Sequence, residues 1–374
     1  MSNHQSVSAM NDAQKTAYIQ QVIRQTGDEV RQRSPFLRRQ NLIGGSVMAF
    51  SVLGMLAAAA LYHLDMLGWW LCIPLVAVLQ SFIHELEHDL IHLMYFKDKP
   101  WAYNLMLLLC WLTRPSTVSP WLRKELHFHH HKHSGSRNDL EERGITNGAP
   151  WGLKRLLMTG DNMAAVLMRP LQTFEMINEY VISQKPASRA EHNKQVIRAF
   201  SGYFPVGLLH YALWYSFLAI HGASLLASVS GHHLVLSANQ QHWLSLLDFL
   251  AVVWLIPSHL RTFCLHFISS NLHYYGDVEA RNVMQQCQVI NDWWMAPLQL
   301  FCFNFGSTHA IHHFVVRDPF YIRQLTANKA HVAMREMGVR FNDFGTFRRA
   351  NRFQQVEQSV NGFDALGAPL SAAK

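Results

Sequence analysis

Long apolar blocks alternate with polar stretches along this chain and give the first indication of its architecture. Four blocks are long enough to cross about 30 Å of hydrocarbon as α-helices. They are residues 42–62, 66–83, 200–220 and 243–260. The pattern therefore predicts an all-α integral membrane protein with four transmembrane helices.

Three further segments are predicted to be helical without crossing the membrane. Residues 12–33 are expected to form a polar helix ahead of the first block. Residues 101–112 are apolar but too short to cross, and basic residues flank them, which indicates an interfacial or re-entrant helix. Residues 291–305, rich in Trp and Phe, have the same character. We expect the two apolar pieces to hold the segments that follow them against one end of the four-helix bundle.

Basic residues lie only outside the two predicted helical hairpins. None of the 32 Lys and Arg residues falls within residues 40–96 or 199–260. Because Lys and Arg concentrate in cytoplasmic loops, we expect both termini and the segment between the hairpins to be cytoplasmic, in a bacterial inner membrane. The net charge of +7 suits an anionic inner leaflet. A nucleic-acid binder is disfavoured because no binding motif accompanies the charge.

This topology predicts three parts. Residues 1–41 are a cytoplasmic helical leader, residues 42–325 a membrane domain and residues 326–374 a cytoplasmic tail. The polar leader is unlike a secretory signal peptide. The 5 cysteines form no C-x-x-C pair and are expected to be packing residues rather than metal ligands or disulfides.

Histidines are concentrated in three clusters next to the predicted helices. His84, His88 and His92 follow one another at intervals of four residues, and segments 127–133 and 309–313 each contain a His-x-x-His-His motif. On an α-helix, residues at i, i+3 and i+4 project from one face. Each cluster is therefore a candidate metal-binding face, and three such clusters on one side of the membrane are hard to attribute to chance.

The number and type of these ligands favour iron over zinc. The imidazoles exceed what one tetrahedral zinc uses, whereas two irons, each with an open position, would use them. A nitrogen-rich ligand set suits a centre that cycles between ferrous and ferric states and activates O2. Two other classes stay open. A divalent-metal transporter would bind its ion near the bilayer midplane, and a membrane zinc hydrolase would leave two clusters unexplained.

The three clusters resemble the histidine boxes of the membrane-bound fatty acid desaturase and hydroxylase superfamily, which are Hx3-4H, HxxHH and HxxHH around a di-iron centre. The resemblance covers residues 42–325 and includes the order and spacing of the boxes. It implies that the di-iron centre itself is the catalytic group. The histidines that it implies as metal ligands, including one just after the fourth span, are His84, His88, His127, His130, His131, His273, His309, His312 and His313.

Other residues near the boxes are further candidates. The chain has Ser269 four residues before His273, where animal acyl-CoA desaturases carry Asn, and its own Asn271 lies two residues before it. Additional ligands, or groups that hold a ligand by a hydrogen bond, are expected among His92, His129, His133, His266, Asn271, Glu87 and Asp277.

The resemblance also implies the chemistry. Such a centre activates O2 and abstracts hydrogen from an unactivated C–H bond, and the first expectation is desaturation of a fatty acyl chain. Two outcomes stay open because substrate placement selects between them. One is oxidative decarboxylation of a medium-chain free fatty acid to a 1-alkene, which some bacterial relatives perform, and the other is hydroxylation of an acyl chain or alkane. A free acid would need a cationic anchor, for which the candidates are Arg261, Arg281 and Lys124.

Electrons are expected from a separate protein. The chain has no His-Pro-Gly-Gly haem motif, no cysteine cluster for iron and sulfur, and no G-x-G-x-x-G motif. We therefore expect a ferredoxin-type or cytochrome-type donor with its own reductase. The basic C-terminal segment is a candidate docking face for an acidic donor.

Overall fold

The protein is described by a computed structural model that covers residues 9–354. Four of its helices are long and apolar enough to cross a membrane. They are Gln40–His63, Trp69–Ile91, Val206–Val229 and Ala238–Leu272, here called the first to fourth spans. Within residues 9–354 there is no β-strand, only two isolated bridges. The predicted all-α architecture with four candidate membrane helices is confirmed.

The other helices of the described chain are shorter and lie outside the spans. Their bounds are Asp12–Arg33, Pro100–Thr113, Pro120–His133, Leu140–Gly144, Leu153–Gly160, Asn162–Leu167, Pro170–Ser183, Arg189–Phe200, Val283–Gln286, Ala296–Leu300, Phe305–Phe314, Phe320–Glu336 and Thr346–Arg349. We call Asp12–Arg33 the N-terminal helix, Pro120–His133 the second-box helix, Phe305–Phe314 the third-box helix and Phe320–Glu336 the supporting helix.

The second span runs beyond its apolar block because the charges in its last turns are paired. The hydropathy pattern predicts that this helix ends at residue 83, whereas in the structure it continues to Ile91. Glu85 and Asp89 both form ion pairs with Arg323 of the supporting helix, at 2.9 Å and 3.1 Å. These pairs let a polar segment stay helical and buried, since each carboxylate has a counter-ion.

The fourth span is also longer than predicted. It continues past residue 260 to Leu272 as one helix of 35 residues. Its middle contains a π-helical turn, Ala251–Leu255, directly before Pro257. The wider turn removes the need for the backbone hydrogen bond that proline cannot donate, so the helix continues through it. The carboxyl end of this span therefore reaches the same end of the bundle as the carboxyl end of the second span.

Two of the three predicted shorter helices are confirmed, and one prediction is wrong. The N-terminal helix starts at a capping box in which Asn11 and Gln14 bond each other's backbone N–H. The helix Pro100–Thr113 replaces the predicted 101–112. Residues 291–305 do not form one helix, because Phe303 and Asn304 have positive φ angles of 50° and 58°. The short helix Ala296–Leu300 ends before this left-handed pair, which redirects the chain into the third-box helix.

The N-terminal and supporting helices pack together over the third-box helix. Ile19 and Ile23 of the N-terminal helix share one buried apolar cluster with Ile311 of the third-box helix. Arg31 adds an ion pair to Asp318 at 2.5 Å. The segment that carries the last histidine motif is thereby held from both chain ends. Whether residues 1–41 and 326–374 act as separate parts stays a prediction, and residues 1–8 and 355–374 lie outside the described chain.

Candidate metal centre

Histidines from four separate segments meet at the carboxyl ends of the second and fourth spans. Two groups each bring four ring nitrogens to within 4.8 Å of one another. The first group is His88, His92, His127 and His312, and the second group is His130, His273, His309 and His313. Seven of these eight rings are buried and His92 is half-buried. All three boxes and the residue after the fourth span therefore contribute to one double site.

The local backbone explains how each box points its rings at the same place. In the second-box helix, Pro120 occupies the first turn and Ser119 caps it, so the helix is established before His127. His127, His130 and His131 then project from one face. His273 follows the last residue of the fourth span with an extended backbone, φ −89° and ψ 137°. That change of direction turns its ring back toward the third-box helix.

The spacing of nitrogens in the second group fits a shared metal ion. The Nε2 atoms of His273, His309 and His313 form a triangle with sides of 3.2 Å, 3.2 Å and 3.3 Å. A neutral imidazole ring carries one N–H group. In His273 and His313 the Nδ1 atom faces an acceptor outside the triangle, which places the N–H group there. The Nε2 lone pairs of His273 and His313, 3.3 Å apart, would repel one another without a cation or a proton between them. Imidazoles bound to one metal at about 2.0–2.1 Å lie roughly 3.0–3.4 Å apart.

The first group has the same spacing and a fifth ring beside it. His127 Nε2 lies 3.0 Å from His92 Nε2 and 3.1 Å from His131 Nε2. His131 Nε2 also lies 3.0 Å from His312 Nε2. Among the described residues, Nε2 of the buried His88 has no hydrogen-bond partner. An inward nitrogen that no proton or acceptor satisfies is what a metal ligand requires.

Outward nitrogens are held by oxygen acceptors. His127 Nδ1 contacts the Glu141 carboxylate at 3.0 Å, and His130 Nδ1 contacts that of Asp139 at 2.9 Å. His273 Nδ1 lies 3.1 Å from the backbone carbonyl of Ser269. These contacts place the ring proton on Nδ1 and leave Nε2 free for the metal, since an acceptor selects the protonated nitrogen.

Burial keeps most of these rings neutral. It lowers the pKa of His92 to about 2 and that of His273 to about 3, with repulsion from neighbouring rings acting in the same direction. The pKa values of the other rings outside the spans are lowered well below the usual range for the same reasons: His127, His131, His309, His312 and His313. Neutral imidazole is the form that binds metal.

His130 is the exception. Burial opposes its protonation, but the carboxylates of Asp139 and Glu142 act more strongly together and raise its pKa to about 10. The ring lies between these acids and the second group of nitrogens. A metal ion bound at Nε2 would take the place of the second proton, because both positive charges are stabilised by the same carboxylates.

Nine histidine rings converge, the eight of the two groups and His131 beside them. Eight of the nine belong to the predicted ligand set, and His92 stands in place of the predicted His84. His92, expected only as an additional candidate, lies in the first group, and its contacts are as short as those of the box histidines. His84, expected as a ligand, lies outside both groups. Its ring faces Phe305 at 5.7 Å between centroids, and within residues 9–354 neither of its nitrogens has a hydrogen-bond partner.

The other histidine candidates lie away from both groups. His129 bonds the Asn138 carbonyl at 3.1 Å and the Gln184 side chain at 2.9 Å. His133 stacks on His129 with 4.3 Å between ring centroids. His266 lines the large cavity described below. The first two project from the opposite face of the second-box helix, where their rings support each other.

The remaining polar candidates have structural partners instead. Asn271 accepts a hydrogen bond from Trp151 Nε1 at 3.1 Å. Asp277 accepts the backbone N–H groups of Phe353 and Gln354 at 2.7 Å and 2.8 Å. Glu87 pairs with two arginines rather than with a histidine. The acids that do hold ligand rings are Asp139, Glu141 and Glu142. Sequence reasoning missed them because they follow the second box after a loop, where spacing gives no signal.

A cavity of about 470 Å³ extends from the metal groups toward the side of the bundle. Its inner end is formed by His84, His88, His127, His130, His273 and His309. Apolar side chains such as Val118, Leu122 and Ile177 line its middle. The lining also includes two exposed side chains, Phe204 just before the third span (65% exposed) and Leu208 in its first turn (53% exposed).

Of the predicted carboxylate anchors, the structure places one in this cavity. Arg261 of the fourth span lines it and is buried. Arg281 is exposed and has a positive φ of 65°. Lys124 lies over the ring of Tyr103, with 3.2 Å from its Nζ to the phenol oxygen. Neither of the last two is among the residues that line the cavity.

Four candidate membrane helices whose ends carry two histidine groups define a class, the helical membrane proteins with clustered histidines that could hold metal ions. A comparison with protein families identifies the particular one. Residues 64–345 match the family Fatty acid desaturase. The match covers most of the chain, and the protein belongs to this family. A search of curated proteins found no match.

Proposed function

We propose that the protein is a di-iron oxidoreductase that uses O2 to remove hydrogen from a fatty acyl chain and so forms an alkene. One observation carries the proposal: two four-histidine groups lie side by side, and rings of both line one mainly apolar cavity. Family membership supports an acyl substrate and an oxidative reaction. The side-by-side arrangement supports two ions rather than one, since each group alone supplies enough nitrogens for a metal.

Iron fits this ligand set better than the ions of the rival classes. Both groups consist of imidazole nitrogen, and the nearby carboxylates of Asp139 and Glu141 face outer nitrogens instead of the centre. When bound, two irons supply O2 activation and hydrogen abstraction, which zinc does not. A transporter site at mid-membrane is disfavoured because the groups lie at the ends of spans.

The protein itself contributes binding and orientation. The apolar middle of the cavity would hold an acyl chain by burying its methylene groups, at about 0.8 kcal/mol for each one. The exposed side chains of Phe204 and Leu208 mark an entrance beside the third span, so a lipid-soluble substrate could enter from the bilayer. Burial of the histidines keeps bulk water from the reacting C–H bond.

A second outcome, oxidative decarboxylation of a free fatty acid to a 1-alkene, is favoured by a specific observation. Arginines 114, 123, 169 and 261 line the same cavity, so its wall can receive a carboxylate. Desaturation of an ester or thioester does not require that feature. Hydroxylation has no feature of the described chain in its favour.

The surroundings of the site complete the proposal. The histidine end of the bundle faces the cytoplasm of a bacterial inner membrane, with both termini on that side, as the distribution of Lys and Arg suggests. A separate ferredoxin-type or cytochrome-type donor supplies electrons there. Short apolar helices such as Pro100–Thr113, whose Trp101 is 72% exposed, lie at the membrane interface.

Product analysis tests the proposal. A bacterial host that expresses the chain is fed deuterated fatty acids, and mass spectrometry examines both membrane lipids and headspace volatiles. We expect a deuterated alkene that His133→Ala still forms and His130→Ala does not, since only His130 belongs to a metal group. Labelled 1-alkene would select decarboxylation. The absence of any oxidised product from cells that contain folded, iron-loaded protein would overturn the proposal.

A further inference from the structure

Arg261 is a buried cation in the fourth span. Its side chain is 1% exposed and forms part of the cavity wall. Nη2 donates to Thr262 Oγ1 at 2.8 Å. Among the described residues, Nε and Nη1 have no hydrogen-bond partner. A charged side chain inside a membrane span costs free energy. A buried guanidinium with unused donors in such a span therefore indicates a functional role.

The charges around Arg261 do not neutralise it. The groups that act on it electrostatically are Arg114, Arg123 and Glu87. Glu87 is already paired, with Arg123 Nη1 at 2.6 Å and with Arg114. Arg123 Nε also lies 3.9 Å from the carboxylate of Glu141, so three guanidinium groups share two carboxylates. Because guanidinium stays protonated, this part of the cavity carries an excess positive charge.

The two carboxylates that line the cavity, Glu141 and Glu142, contact histidine rings of the two groups. Glu141 holds His127 Nδ1 at 3.0 Å. Glu142 lies 3.2 Å from His273 Nδ1 and 3.8 Å from His130 Nδ1. Neither is therefore available to Arg261. A ligand that enters the cavity can supply the missing counter-charge.

We propose that Arg261 binds the carboxylate of a free fatty acid, which makes the free acid the substrate form that this chain recognises. This inference rests on the proposed function, because it assigns the head group of the same acyl substrate. A carboxylate supplies the negative charge and the acceptor oxygens that Nε and Nη1 lack. The carbonyl of a thioester or ester is neutral and leaves the guanidinium uncompensated.

The position of Arg261 relative to the centre agrees with this role. Leu265, His266, Ser269 and His273 follow it on the cavity side of the same helix segment. A head group at Arg261 would therefore lie in the cavity that the second histidine group closes. The apolar side chains between the entrance and the metal groups remain for the acyl tail.

The test measures binding, separately from turnover. Purified full-length protein, loaded with iron, is titrated in detergent with a fluorescent fatty acid, which is then displaced by dodecanoic acid or by its methyl ester. We expect the acid to bind roughly 30-fold more tightly than the ester, the loss typical of an unpaired buried charge. Arg261→Met should abolish this preference and leave ester binding unchanged, and Arg261→Lys should retain part of it.

Arg281→Met is the matched control, because Arg281 is exposed and outside the cavity lining. It should keep the preference for the acid. If Arg261→Met fails to fold, the affinities for the acid and the ester are compared in the unaltered protein and in Arg261→Lys. That comparison still tests the role of Arg261. Equal affinity for acid and ester, or a preference that Arg261→Lys leaves undiminished, would overturn the inference.

The two proposals fail in different ways. In one case the protein binds the acid selectively, but the iron-loaded protein does not oxidise it when a working electron donor is present. That result would leave Arg261 as an anion site and remove the proposed reaction. Oxidation of acyl thioesters with no preference for the free acid would leave the reaction and remove the role of Arg261.

Discussion

Each ligand ring in this site has an inner and an outer nitrogen with different tasks. For His127 and His130 the outer nitrogen faces a carboxylate, while the inner nitrogen faces other imidazoles. The outer contact fixes the proton and the ring plane before any metal arrives. Residues such as Asp139 therefore position a histidine ring of the candidate metal centre through a hydrogen bond.

Replacing a ring of either group should remove metal and activity together. His130→Ala and His312→Ala each delete one of four clustered nitrogens. We expect loss of activity and lower iron content, with the spans still folded by circular dichroism. His133→Ala is the control, since its ring stacks on His129 outside both groups. Full activity in either variant would remove that residue from the ligand set.

His92 and His84 provide a sharper comparison. The structure places His92 in the first group, whereas family resemblance points to His84. We expect His92→Ala to lose iron and His84→Ala to keep it, because only the first change removes a nitrogen 3.0 Å from His127. Iron per chain, measured by mass spectrometry, decides. The opposite result would mean that His84 turns toward the metal when the ion binds.

Asp139 should act through His130. Burial disfavours protonated His130, but Asp139 and Glu142 raise its pKa to about 10, which shows how strongly these acids stabilise positive charge on the ring. Asp139→Asn should weaken iron binding by roughly 10–100-fold in competition with a chelator. Asp277→Asn is the control because, within residues 9–354, Asp277 accepts hydrogen bonds from the backbone N–H groups of Phe353 and Gln354 and lies outside both histidine groups. Unchanged iron affinity in Asp139→Asn would contradict the assignment.

The second span connects the histidine groups to the rest of the fold. Its last turns carry His88 between Glu85 and Asp89, and both acids pair with Arg323. Asp89 also accepts the backbone N–H of Phe320 at 2.8 Å. The supporting helix thus fixes the rotation of the helix end that presents His88. Ligand geometry in this protein depends on contacts between elements as much as on spacing within one element.

Arg323→Met should therefore destabilise the fold. It leaves two buried carboxylates without their cation, a loss of about 3–5 kcal/mol for a broken buried pair. A marked fall in the thermal midpoint of the detergent-purified protein is the expected result. Lys329→Met, which removes an exposed pair with Glu29, should change it little. Equal midpoints for the two variants would show that the Arg323 pairs do not hold the helices together.

The helices and the meeting of the boxes could be predicted because their signals are local. The length of the apolar blocks identified the membrane spans. The spacing of histidines at i and i+4 identified the helix faces from which the box histidines project. What depends on distant partners could not be predicted. The continuation of the second span beyond residue 83 requires Arg323, and the selection of Glu141 as the partner of His127 requires the loop after the second box. The exchange of His84 for His92 likewise follows from tertiary packing.

At the scale of the whole molecule, the described chain combines two histidine groups at one end of the spans with a cavity that rings of both groups help to line. The apolar entrance beside Phe204 suits a substrate dissolved in the bilayer. The opposite end of the spans carries the segment between the third and fourth spans. The orientation of the spans in the membrane determines whether the histidine groups face the cytoplasm, where the proposed electron donor would bind.

Single cysteines report that orientation. Leu234, between the third and fourth spans, is 45% exposed, and Lys185 lies in an exposed turn between the two hairpins. We expect an impermeant maleimide added to spheroplasts to label Leu234→Cys and to label Lys185→Cys only after lysis. The five native cysteines are buried and should give little background. Labelling of Lys185→Cys in intact spheroplasts would reverse the proposed topology.

The metal content of the purified protein tests the central claim most directly. Protein expressed with iron, purified without chelators and analysed by inductively coupled plasma mass spectrometry should contain about two irons per chain, one for each histidine group. A single zinc per folded chain, with no iron retained under anaerobic conditions, would contradict the di-iron account.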